Sequence, residues 1–132
     1  MPHSMTVRVY YEDTDLAGVV YYANYLRFIE RGRTEALRAA GVDQGRLKAE
    51  DGAVFVVRRI EADYLAPAKF DDMLAVATRV EAMTGATVTM AQEVARDGVI
   101  LFRARVVIAC MGTDGRPRRL PGVVREALAP HG

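Results

Sequence analysis

Histidine is nearly missing from this chain of 132 residues, which has two. Both, His3 and His131, lie almost at the ends, where order is weakest. A nucleophile activated by imidazole needs a histidine held in the site, and a zinc hydrolase usually needs two or three. Neither arrangement is expected. Cysteine is scarcer still. The single Cys110 excludes an intrachain disulfide and any cysteine-rich metal site. No apolar run approaches the roughly 18–20 residues of a membrane-spanning helix, and residues 1–10 lack an apolar core of signal-peptide length. Charge of one sign is not in excess: the net value is +1, so no broad attraction to nucleic acid or to an anionic membrane is expected. With 51% hydrophobic and 27% charged residues the composition is that of an ordinary globular protein. The expectation is one domain over residues 1–132, cytoplasmic, with no metal, no cofactor, no nucleic-acid partner and no membrane span. Any proton chemistry then falls to a carboxylate.

What is present points to one place. Tyr10-Tyr11-Glu12-Asp13-Thr14-Asp15-Leu16-Ala17-Gly18-Val19-Val20-Tyr21-Tyr22-Ala23-Asn24-Tyr25 leaves an alternating strand, passes an acidic turn and starts a long amphipathic helix. Asp15 therefore sits close in sequence to a helix N-terminus, where backbone N–H groups lack partners and the helix dipole is positive. A carboxylate able to handle a proton, beside N–H groups able to hold an oxyanion, is a minimal kit for hydrolysing an acyl bond. On spacing alone, Asp15 also reads as a turn or N-cap residue. The Asp13-Thr14-Asp15 pair resembles the start of a calcium loop, but the rest of such a loop is missing.

Around this segment the pattern is regular. Residues 5–11 alternate as a strand. Residues 22–40 carry apolar side chains at helical spacing (Tyr22, Tyr25, Leu26, Ile29, Ala36, Leu37), with Gly41 as the stop. Gly32 lies inside this helix at a cost of about 1 kcal/mol relative to Ala, which close approach to a sheet would explain. Residues 42–51 form a short helix or a loop. Strands are predicted over 53–65, 73–83, 87–96 and 99–111. Asp97-Gly98 makes a tight hairpin turn, and a short helix follows Pro121. Alternation puts Leu74, Val76, Val80 and Ala82, then Val88, Met90 and Val94, then Ile100, Phe102, Ala104, Val106, Ile108 and Cys110 on inner faces. Sheets of such long strands curl, and one helix is available to fill the curl. The fold class is α+β: a long antiparallel sheet wrapped round one central helix, the hot-dog architecture. Its free edges call for a second copy.

With these residues the chain resembles the hot-dog-fold acyl-CoA thioesterases, in the branch that holds 4-hydroxybenzoyl-CoA thioesterase and the bacterial Tol–Pal-associated (YbgC-type) enzymes. The resemblance covers nearly the whole chain. It rests most on residues 11–25 and on Glu30-Arg31-Gly32-Arg33-Thr34-Glu35, with support from Tyr64-Leu65-Ala66-Pro67-Ala68, Phe70-Asp71-Asp72 and Arg118-Arg119-Leu120-Pro121. It implies Asp15 as the catalytic carboxylate and the Tyr22 backbone N–H as the group that polarises the thioester carbonyl. The Tol–Pal-associated branch commonly has His after Val-Val-Tyr. Tyr22 stands there instead, as in the benzoyl-CoA branch.

The expected reaction is thioester hydrolysis, with Asp15 as general base on water or as nucleophile through a mixed anhydride. Tyr21 and Tyr25 line the acyl pocket with Tyr22, and Asn24 either caps the helix or touches substrate. The CoA phosphates need cations, for which Arg58, Arg59 and Arg118 are candidates, with Lys69, Arg116 and Arg119 behind them. The acyl carrier is CoA or an acyl carrier protein, and the assembly a homodimer or a homotetramer. The competing class is a non-catalytic module that binds acyl-CoA or acyl carrier protein. A hot-dog dehydratase relies on a catalytic His, which the interior of this chain lacks.

Overall fold

The computed structural model describes residues 2–129; His131 lies outside them. The elements run β1 (His3–Arg8), α1 (Asn24–Ala39), α2 (Gln44–Asp51), β2 (Ala53–Tyr64), β3 (Met73–Met83), β4 (Thr87–Arg96), β5 (Val99–Gly112) and α3 (Gly122–Leu128). The strands form one antiparallel sheet in the order β1-β3-β4-β5-β2. Asp97 and Gly98 both take positive φ, 51° and 81°, the pair that a two-residue hairpin turn requires between β4 and β5. The predicted helix after Pro121 is present, and residues 44–51 are helical, with Asp43 accepting the Arg46 N–H.

Alternation assigns most of the inner face correctly. Leu74, Val76, Val88, Met90, Val94, Phe102, Val106, Ile108 and Cys110 are buried in one core with Tyr25, Phe28, Ile29 and Leu37 of α1. Two residues depart. Ala82 and Ile100 are exposed, because register shifts after Val80 and after Val94 insert an unpaired residue and break the alternation. Leu101 takes the buried place instead. At the N-terminus, β1 ends at Arg8 rather than running to residue 11. Tyr11–Asp13 forms a 3-10 turn.

The sheet wraps round α1, as the hot-dog architecture requires, and Gly32 is where helix and sheet come closest. A Cβ built there would lie 2.7 Å from Val76 Cγ1 and 3.1 Å from Thr78 Oγ1. Beside it, buried Gln92 stitches the layers. Its Nε2 donates to the Ile29 carbonyl and to Thr78 Oγ1, both at 2.8 Å, and its Oε1 accepts from Arg33 Nη1 at 3.0 Å. Burial pushes the Arg33 guanidinium below its ordinary pKa.

The outer edges of the sheet are β1 and β2. β2 is 12 residues long and paired on one side only, with Val56 and Val57 exposed along it. No helix among the described residues is long and apolar enough to cross a membrane.

Candidate active site

The acidic turn and the start of α1 form one braced unit. Asp13 is buried, and both its oxygens are used. Oδ2 accepts the Tyr10 N–H at 2.8 Å and Oδ1 accepts Asn24 Nδ2 at 2.8 Å. Its carbonyl accepts the Tyr21 N–H at 2.9 Å. Asn24 Nδ2 therefore braces the turn against the helix start. The N-cap position is held by Ala23, with no side-chain cap, so Asn24 is not the cap.

Asp15 stands on the other side of this brace. Its N–H donates to Val19 O at 2.9 Å and its carbonyl accepts the Gly18 N–H at 3.0 Å. Gly18, at φ 77°, supplies the left-handed step that closes this reverse turn. The carboxylate is exposed, and its Oδ1 accepts the Ala17 N–H at 2.9 Å. Asp13 holds structure, whereas the Asp15 carboxylate keeps Oδ2 open to solvent chemistry. The loop hangs from the connection between β2 and β3 through Val20 N–H to Ala68 O at 2.8 Å.

The helix begins at Asn24, two residues later than the apolar spacing suggests, with Tyr22 and Ala23 in the turn before it. Asn24 N–H closes onto Tyr21 O at 2.8 Å and Leu26 N–H onto Ala23 O at 3.1 Å. The Tyr22 and Ala23 N–H groups donate to no acceptor among the described residues. They are free donors at this helix start.

Aromatic rings surround it. Tyr25 stacks on Phe102 with centroids 4.9 Å apart, and its buried hydroxyl accepts the Ala68 N–H at 3.0 Å. Burial raises the pKa of that phenol, which stays neutral. Tyr64, the last residue of β2, sets its ring edge-on to Tyr22, Tyr25 and Phe102 and donates its hydroxyl to the Tyr22 carbonyl at 3.1 Å. Tyr22, Tyr25, Tyr64, Val20, Leu65 and Pro67 line an open groove of about 310 Å³. Tyr21 lies outside that lining, exposed, with its ring 4.8 Å from that of Tyr22; the neighbouring Tyr22 phenol raises its pKa.

The cations are elsewhere. Arg58 and Arg59 are exposed on β2 where its register slips, and Arg59 pairs with Glu61 at 2.8 Å. Arg118 donates to the Asp51 carbonyl at 2.6 Å. It sits by Cys110, at the Ala53 end of β2, whereas Tyr64 and Tyr22 are at the other end. A strand of that length spans roughly 36–40 Å, so a single copy does not bring Arg118 to the helix start. Cys110 is buried, and burial pushes its thiol pKa up, away from nucleophile chemistry.

The sequence assigns Tyr64 no place in the site beyond its part in the resemblance, and it does not show that Asp13 is buried. A tyrosine ending a long strand just before Ala66-Pro67 is a weak signal for the first. For the second, the i to i+11 spacing of Asp13 and Asn24 carries none.

The sequence model of the thioesterase-like superfamily matches residues 9–128. An acyl-CoA thioesterase YbgC of Haemophilus influenzae is 47% identical over 126 residues, 95% of this chain and 93% of its own. Among solved structures, a probable thioesterase from Bartonella henselae superposes with a TM-score of 0.88 at 41% identity, covering 92% of this chain and 100% of its own. A 4-hydroxybenzoyl CoA thioesterase variant bound to 4-hydroxybenzoyl CoA superposes with a TM-score of 0.91, covering 97% and 99%; at 21% identity it speaks for the fold alone.

Proposed function

This chain belongs to the thioesterase-like superfamily, and we propose that it is an acyl-CoA thioester hydrolase in which Asp15 carries the proton or nucleophile chemistry and the Tyr22 N–H holds the oxyanion. The observation that carries the reading is one braced unit with two different ends. An exposed carboxylate, Asp15, stands at one end and unpaired N–H groups of a helix start at the other.

Two courses satisfy the balance. In one, a water oxygen bonds to the thioester carbon while Asp15 takes its proton. The carbonyl pair moves onto oxygen, and collapse breaks the C–S bond. In the other, an Asp15 oxygen attacks and the CoA thiolate leaves directly. Water then hydrolyses the resulting mixed anhydride. Thiols ionise near pH 8.5, so the leaving group departs as thiolate without a strong general acid, which suits a site with no histidine. Each oxyanion donor is worth about 3 kcal/mol of barrier. Tyr22, Tyr25 and Tyr64 give the acyl group an aromatic groove.

Free-thiol release from short, long and aromatic acyl-CoAs is the test. Turnover of at least one class is expected, and its identity defines the acyl specificity. Binding without release from any CoA ester would indicate an acyl-carrier-protein substrate or a non-catalytic acyl-binding module instead.

The working form we propose is a homodimer joined along β2. Its unpaired edge exposes Val56 and Val57, and an edge of 12 residues left open is a liability in water. Antiparallel pairing of two such edges places the Ala53 end of one copy beside the Tyr64 end of the other. That brings Arg58, Arg59 and Arg118 of a second copy toward the helix start, where the CoA phosphates need charge. Sedimentation is expected to show two copies for the wild type and one for Val57→Asp; an unchanged dimer in the variant would move the interface elsewhere. We place the reaction in the cytoplasm and take residues 1–132 as one catalytic domain, since the buried apolar residues form a single cluster.

A further inference from the structure

We infer that Tyr64 is a positioning residue for this hydrolysis: its hydroxyl holds the Tyr22 carbonyl and so aims the Ala23 N–H as a second oxyanion donor beside the Tyr22 N–H. The inference rests on the thioesterase reading above and adds a residue to it.

The Tyr22 carbonyl is an acceptor that the helix does not use. A regular helix would give it the Leu26 N–H, but Leu26 donates to Ala23 O instead, at 3.1 Å. Tyr64 Oη fills the place at 3.1 Å. The Tyr22 carbonyl and the Ala23 N–H belong to one trans peptide plane and point in opposite directions. Fixing the oxygen therefore fixes the N–H. A donor on the carbonyl also polarises the amide and makes its N–H the stronger donor. The preceding peptide is held in the same manner, its Tyr21 carbonyl accepting the Asn24 N–H at 2.8 Å. Two successive planes are anchored by their oxygens, and the N–H groups they carry, Tyr22 and Ala23, both lack an acceptor among the described residues.

The anchor itself is rigid. Just after Tyr64, the Leu65 and Ala66 N–H groups both donate to Leu101 O, at 2.8 and 3.1 Å, which pins the end of β2 to β5. The ring is wedged among Tyr22, Tyr25 and Phe102. Packing alone does not call for a hydroxyl, since a phenylalanine would fill the same space. Tyr64 is also 49% exposed, so its Oη could be hydrated wherever it pointed. That it reaches the one orphaned carbonyl at the helix start is what sets it apart.

The experiment is Tyr64→Phe in the full-length chain, assayed by thiol release on the best acyl-CoA of the wild type. Removing an oxyanion donor outright costs about 10²–10³ in kcat. Loosening one is expected to lower kcat about tenfold, with KM within about twofold and Tm at the wild-type value. Acyl-CoA affinity, measured by titration in the Asp15→Asn background, is expected not to change with Tyr64→Phe. A wild-type kcat in Tyr64→Phe would overturn the inference while leaving the thioesterase reading intact. A rise in KM alone would also overturn it, reducing Tyr64 to a wall of the groove. Absence of thiol release from the wild type would instead remove the reading on which it rests.

Discussion

Asp15→Asn is expected to lower kcat by about three orders of magnitude while Tm and acyl-CoA affinity stay at wild-type values. The carboxylate is exposed, and the bond it makes in the turn is acceptance of the Ala17 N–H on Oδ1, at 2.9 Å. The amide oxygen of asparagine accepts that N–H equally well, so the turn and the Gly18 reversal survive. What the amide lacks is basicity and nucleophilicity. It can neither take a proton from water nor attack a thioester carbon, so both courses of the reaction stop. The same substitution at Asp13 has a different meaning. Both oxygens there face donors, Tyr10 N–H and Asn24 Nδ2, and an asparagine would turn its own NH₂ against one of them. Loss of activity at Asp15 without loss of folding separates chemistry from scaffold. Thiol-release kinetics, thermal denaturation and acyl-CoA titration on the purified variant make the comparison. Turnover near wild type in a folded Asp15→Asn would remove Asp15 from the reaction.

The Asp15 unit was legible in the sequence because its parts are adjacent: turn residues, a glycine at the reversal and a helix start lie within a dozen positions. The sheet was legible for a similar reason. Alternation and the Asp97-Gly98 turn are local signals, and β3 and β4 begin and end where the pattern does. Bulges escaped, since an inserted residue looks like any other until its partner strand is known. That is why alternation puts Ala82 and Ile100 on the inner face although both are exposed. Tyr64 escaped for a different reason: its acceptor is 42 residues away, and the need for it arises from a carbonyl that the helix drops at Leu26. The pairing of Asn24 with Asp13 likewise depends on how the turn folds back on the helix. An arginine's residue type marks it as a candidate cation but says nothing of which end of β2 it occupies.

Gly32→Leu is expected to cost several kcal/mol and to lower Tm sharply, and even Gly32→Ala is expected to destabilise. Helix propensity alone predicts the opposite for alanine, a gain of about 1 kcal/mol. Packing decides the sign. A Cβ at this position meets Val76 Cγ1 at 2.7 Å, Thr78 Oγ1 at 3.1 Å and Gln92 Nε2 at 3.3 Å. Val76 is fully buried and has no space to yield. Thr78 and Gln92 are tied to each other, and Gln92 is tied to the Ile29 carbonyl. Accommodation therefore lifts the helix off the sheet, at about 1–3 kcal/mol for a methyl and more for a leucine. Lifting it also stretches the Gln92 bonds that neutralise a buried polar layer. If that contact is the cause, Val76→Ala opens space opposite the new methyl. The double variant Gly32→Ala with Val76→Ala then loses less than the sum of the two single losses, as coupled neighbours do. Denaturant titration of the four proteins measures this. A Gly32→Ala variant more stable than wild type would show that the approach of helix to sheet is looser than this geometry. Because the helix start follows directly on Tyr22 and Ala23, kcat is expected to fall along with Tm in Gly32→Ala, and the double variant to lose less of both than the two single losses summed.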